Sequence, residues 1–116
     1  MPVRFVPMTG EVQKPKKKSD LWREKRFEIV LDNHLVSGSF DRVVLLKDTT
    51  RHIETASIID FKTDRIDTRT DHNHHIAIYK PQLDLYRKVL SVITNLSEDK
   101  ITCQLAFTKA DHVIKV

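Results

Sequence analysis

The sequence predicts an α/β (α+β) domain: a mixed central sheet with a helix on one face, its elements in the order β-β-β-α-β-β. Three observations predict it. Residues 26–62 contain three stretches of alternating or short-run apolar side chains, separated by polar turns. Residues 79–94 carry apolar and aromatic side chains at helical spacing. Residues 100–107 return to alternation. Period two marks a half-buried strand, and a three-to-four spacing marks an amphipathic helix. Three meandering strands, a crossing helix and a returning strand close as one mixed sheet.

The elements follow in order. Residues 1–20 hold Pro2, Pro7, Gly10, Pro15 and the run Lys16-Lys17-Lys18, with no apolar period, and read as a basic flexible arm or linker to a longer parent chain. The folded unit is expected over 21–116. Phe27, Ile29 and Leu31 alternate with Arg26, Glu28 and Val30 as a first strand. Asp32-Asn33-His34 is turn chemistry, and 35–46 pairs back as a hairpin. Gly38, inside that strand, marks a bulge or a close approach by another backbone or a ligand. A polar turn over 47–52 leads to a third strand at 54–62, then a charged loop at 63–75. The helix is expected from Ile76 or Tyr79 to Thr94, with Tyr79, Leu83, Tyr86, Leu90 and Ile93 inward. Pro81 fits in its first turn or else kinks it, and Asn95 stops it. Strands at 100–107 and 112–116 complete the sheet.

Composition bounds the function. The chain has 116 residues, 40% hydrophobic and 31% charged, the balance of one globular domain. A single cysteine, Cys103, excludes an internal disulfide framework and a four-cysteine zinc or iron–sulfur site. Cys103 alternates with Ile101, Leu105 and Phe107, so it belongs to the core. No apolar run reaches the ~18–20 residues of a membrane span, and the N-terminus lacks a signal-peptide pattern. The expectation is a soluble, cytoplasmic protein with no membrane partner. Residues 1–26 carry eight Lys/Arg against three acids, a surplus of five in a chain of net charge +4, so the basicity is concentrated there. Such an arm suits a phosphate backbone.

Two charged positions interrupt the apolar strands. Asp60 and Lys62 are two apart in Ser57-Ile58-Ile59-Asp60-Phe61-Lys62, so both point to one face. Asp41 stands between Phe40 and Val43-Val44-Leu45-Leu46. If the second and third strands are antiparallel neighbours, Asp41 faces Asp60 at roughly 5 Å between Cβ atoms. Carboxylates that close repel unless a cation lies between them. Hydrolysis of a phosphodiester asks for this set: carboxylates on a divalent cation, and a positive group beside the water. On the helix, Gln82 and Tyr86 are four apart and share a face.

Gly38-Ser39-Phe40-Asp41, Ile58-Ile59-Asp60-Phe61-Lys62-Thr63 and Tyr79-Lys80-Pro81-Gln82-Leu83-Asp84-Leu85-Tyr86 resemble, in order and spacing, the PD-(D/E)xK nuclease superfamily. More narrowly, they are similar to the RecB/AddA-type nuclease domain, the C-terminal part of bacterial helicase–nucleases. The resemblance covers the chain from about Trp22 to its end. It implies a restriction-endonuclease-like core with the first core helix truncated or absent. It implies Mg²⁺ or Mn²⁺ on Asp41, Asp60 and the Phe61 backbone carbonyl, Lys62 orienting the attacking water, and Gln82 and Tyr86 as the helix pair beside the site. Glu24 resembles the acidic position before the first strand. The implied activity is a DNA exonuclease in double-strand break repair and recombination, working with a helicase motor in the same parent chain or complex, and with no iron–sulfur cluster. The alternative is a truncated nuclease fold that acts as a non-catalytic DNA-binding or protein-interaction module. A restriction-like or junction-resolving endonuclease keeps the chemistry and changes the substrate. Lys16, Lys17, Lys18 and Tyr79 are candidate DNA contacts. His72, His74 and His75 read as part of the solvated loop, at the mouth of the site.

Overall fold

The computed structural model describes residues 18–63, 71–109 and 112–116, the first two residues of the helix by backbone alone. Lys16, Lys17 and the rest of the arm up to residue 17, the stretch 64–70 and the His72 side chain lie outside the described residues. The chain runs β1 (Lys18–Leu31), β2 (His34–Lys47), β3 (Ile53–Lys62), α1 (Asp71–Thr94), a short 3-10 turn (Glu98–Lys100), β4 (Ile101–Phe107) and β5 (His112–Lys115). The strands lie in sheet order β1-β2-β3-β4-β5. β1–β2, β2–β3 and β4–β5 are antiparallel and β3–β4 is parallel. The mixed sheet and the element order are as the sequence predicts.

Leu83, Val89 and Leu90 of α1 are fully buried with Val43, Leu45, Ala56, Ile58, Ile101, Cys103, Leu105 and Phe107. The strand residues of that set alternate in sequence and meet in register across β2, β3 and β4, so they form one face. The helix covers that face. Arg87 fastens it: its guanidinium donates to the Ile101 carbonyl at 3.2 Å, the Val116 carbonyl at 3.3 Å and Asp84 Oδ1 at 3.0 Å. No described helix is long and apolar enough to cross a membrane.

Three expectations need correction. β1 begins at Lys18, not at residue 26, so residues 18–20 belong to the sheet rather than to the arm. The two-residue turn has Asp32 and Asn33 at φ 49° and 66° and pairs the strands from Leu31↔His34 to Lys18↔Lys47, with a break at Glu24. β1 is an edge strand, so its outer half is charged and shows no apolar period; Lys47 bridges to Asp20 at 2.5 Å. Second, α1 begins at Asp71, so the histidine segment is helix and Pro81 stands in the helix interior. The inward stripe starts a turn earlier than expected, with His75 only 7% exposed. Third, Ile93 is exposed, and Val89 takes its place in the core. The helix ends at Thr94, and Asn95 stops it at φ 60°.

One irregular point shapes the site. Glu24 has φ 48° and drops out of the β1–β2 ladder between Arg23↔Arg42 and Lys25↔Phe40. Opposite it, Phe40 and Val43 are both buried although three residues apart, so β2 changes facing there. Phe40 and Phe27 then pack on each other at 4.8 Å and against the Tyr86 ring of α1 at 5.5 and 5.6 Å. Gly38 makes room for this: a Cβ there would lie 2.7 Å from Phe27 Cζ. The close approach at Gly38 is therefore by a side chain. Gly38→Ala is expected to cost about 1–3 kcal/mol by overpacking, read by urea denaturation. Phe27→Leu in the same chain should lower that penalty; an additive double variant would refute the contact.

Candidate active site

Asp41 and Asp60 come together where β2 and β3 part. The ladder between them runs from Lys47↔Ile53 to Arg42↔Ile59, and at the next position a side chain replaces the backbone bond: Phe61 N–H donates to Asp41 Oδ2 at 2.9 Å. Asp41 thus stands beside β3 as predicted, but bonded to its backbone. N–H and C=O of one strand residue point the same way. The Phe61 carbonyl is therefore directed to the β2 side, beside Asp41, while Lys62 faces β4 and its carbonyl accepts Thr108 N–H at 3.0 Å.

Asp60 is buried at 6% exposure, a cost no carboxylate bears without compensation. Burial pushes its carboxyl up from the ordinary range; the Lys62 ammonium pulls it down, and the neighbouring Asp41 carboxylate pushes it up again. Lys62 Nζ lies 2.7 Å from Asp60 Oδ2. That ion pair compensates the buried oxygen, while the neighbouring Asp41 carboxylate works against it. A buried carboxylate beside a second carboxylate suits a hard divalent cation, which takes oxygen ligands and keeps several waters.

The lysine is held from the helix side as well. Its ammonium donates to Gln82 Oε1 at 3.4 Å, and Gln82 Nε2 donates to Tyr86 Oη at 3.2 Å. Asp60, Lys62, Gln82 and Tyr86 therefore form one polar chain from β3 to α1, and Tyr86 anchors it on Phe27 and Phe40. Of the helix pair, Gln82 reaches Lys62 and Tyr86 reaches Gln82.

Other expected residues stand differently. Glu24 lies inside β1 rather than before it, is exposed, and lines an open groove with Arg26, Glu28, Ser37, Gly38 and Asp41. Among the described residues no group of three or more His, Cys, Asp or Glu side chains is placed to share one ion. Lys18 is an exposed β1 residue. Tyr79 is half-buried, with the Lys62 ammonium over its ring at 4.2 Å. His75 is buried against Phe107 at 5.1 Å and stacks on Tyr79 at 6.4 Å. The sequence contained the signal for this: His75, Tyr79, Leu83, Tyr86 and Leu90 continue one helical stripe. Cys103 is a core residue, its thiol pushed up by burial and donating to the Leu83 carbonyl at 3.8 Å.

No family model matches the chain, and no curated protein matches it.

Proposed function

We propose that the chain is a metal-dependent deoxyribonuclease domain that hydrolyses phosphodiester bonds, with Asp41, Asp60 and Lys62 at its centre. One observation carries the reading: a buried Asp60 carboxylate meets Asp41 on one side and the Lys62 ammonium on the other, where two strands part. Structural ion pairs on a sheet rarely add a second carboxylate to a buried first one. That arrangement costs stability unless a cation joins it.

Asp41, Asp60 and the Phe61 carbonyl would hold Mg²⁺ or Mn²⁺. When bound, the ion supplies polarisation of the phosphodiester and a more acidic water. The chain's own residues do the rest. Lys62 sits against the Asp60 carboxylate and opposes the rise that burial and Asp41 cause. The Lys62 ammonium has Asp60 and Gln82 on two sides and can donate its third proton to the attacking water or to a phosphate oxygen. Gln82 limits the swing of that ammonium, and Tyr86 limits Gln82. Among the described residues no set of side chains beside the site is arranged to read base edges, so contact with DNA is proposed to run through phosphates. The resemblance to RecB/AddA-type nuclease domains extends the proposal to an exonuclease in DNA repair, working beside a helicase motor.

The test is cleavage of end-labelled single- and double-stranded DNA of unrelated sequences, with Mg²⁺, Mn²⁺ or chelator. Cutting is expected only with a divalent cation and equally across sequences. Cutting that survives chelation would sink the metal-dependent reading. DNA binding without cutting under every cation would replace it with a non-catalytic binding module.

A further inference from the structure

We propose that Tyr79 is a positioning residue for Lys62, with its ring held in place by His75; the assignment rests on the nuclease reading of Lys62. A lysine side chain is long, and its ammonium is a point charge that a single partner leaves free to rotate. Here the ammonium meets three groups: Asp60 Oδ2 at 2.7 Å, Gln82 Oε1 at 3.4 Å and the face of the Tyr79 ring at 4.2 Å. Asp60 and Gln82 fix two directions. The ring supplies a third contact by cation–π attraction, which strengthens where water is excluded, and the Lys62 side chain is only 17% exposed.

The ring is itself supported. His75, one helical turn before Tyr79, stacks on it with an interplanar angle of 30°. His75 also packs edge-on to Phe107 at 81°, and Phe107 is almost wholly buried. Phe107 is the residue of β4 that pairs with Lys62 of β3. The contacts close on themselves: Lys62 to Tyr79, Tyr79 to His75, His75 to Phe107, and Phe107 back to Lys62 through the parallel ladder. Groups from β3 and α1 thus meet at one ammonium, with β4 behind His75. Pro81 lies between Tyr79 and Gln82, which are three apart and reach the same lysine.

Two readouts test this. The first is the proton NMR shift of the Lys62 ε-methylene in the protein without metal or DNA, assigned by comparison with Lys62→Ala. A ring 4.2 Å from Nζ should move it upfield in wild type. The upfield shift should persist in Tyr79→Phe, which keeps the ring, shrink in His75→Ala, and vanish in Tyr79→Leu. The second is cleavage kinetics. Tyr79→Leu should lower kcat about 10-fold with KM unchanged, the scale of a desolvated cation–π contact, and Tyr79→Phe, which restores the ring, should recover most of that loss. An ordinary Lys62 shift in wild type, a shift unmoved by Tyr79→Leu, or an unchanged kcat in that variant would overturn the proposal. The wild-type shift holds the proposal to account even where Tyr79→Leu fails to fold. An upfield shift lost in Tyr79→Leu, with no cleavage by any version, would uphold the placement of Lys62 and overturn only the nuclease reading.

Discussion

Lys62→Ala is expected to lower metal-dependent DNA cleavage by about 10²–10³-fold, the usual cost of removing one preorganised donor from a developing charge. Asp60→Ala should abolish it, because that change removes the carboxylate Lys62 is held against as well as the cation's buried ligand. The two losses should not add. In Lys62→Ala/Asp60→Ala the rate should equal that of Asp60→Ala alone, since the residues act as one unit. Lys62→Arg is a sharper control than alanine. It keeps the charge, but the planar fork cannot fill the place of a compact ammonium between Asp60, Gln82 and the Tyr79 ring. Arginine should therefore restore little. Cleavage at wild-type rates in either single alanine variant would remove the centre from the proposal, whatever metal was present. Circular dichroism on the same samples separates this from unfolding.

How far this site could be read beforehand differs by residue. Asp60 and Lys62 were legible because a strand has period two and their setting is apolar. The same period placed Cys103 in the core with Ile101, Leu105 and Phe107. Asp41 was legible as a neighbour of β3 but not in its bonding. Nothing in a residue pattern shows where two strands part, and it is the parting that lets a carboxylate take a backbone N–H. Glu24 at φ 48° was equally hidden, since a non-glycine residue there obeys the tertiary context and not its own preference. The start of α1 was misplaced because Pro81 argues for an early position in a helix, whereas the helix absorbs it in the interior. That error moved His75 into a loop and hid its contact with Tyr79. β1 was cut short for a different reason. An edge strand can be charged throughout and still be held by its ladder, so hydrophobic period understates its length.

The stability of the chain without metal should fall as pH rises past the ordinary carboxylate range, and Asp60→Asn should remove that fall. The sign follows from burial. Asp60 binds its proton more tightly in the folded state than in the unfolded chain, because desolvation and Asp41 together outweigh Lys62. Below the unfolded value, about pH 4, the carboxyl is neutral in both states and costs nothing. Between that value and the raised folded one, the folded state carries more protons than the unfolded, so unfolding free energy decreases with pH; above the folded value the whole penalty is present. Asn is neutral throughout and nearly isosteric. Urea denaturation of both proteins from about pH 4 to pH 7 should therefore show curves that start together and separate, with the variant the more stable at neutral pH. Saturating Mn²⁺ should reverse the order. At about 100 times its dissociation constant a ligand bound only by the folded state adds about 2.7 kcal/mol, or several degrees in Tm, and the variant lacks the ligand that earns this. Parallel pH curves would show that Asp60 bears no burial penalty. An equal gain from Mn²⁺ in both proteins would show that the cation binds elsewhere. Crossing curves would show one buried carboxylate that costs the empty fold stability and serves the loaded one, which is the trade a binding site makes and a structural ion pair does not.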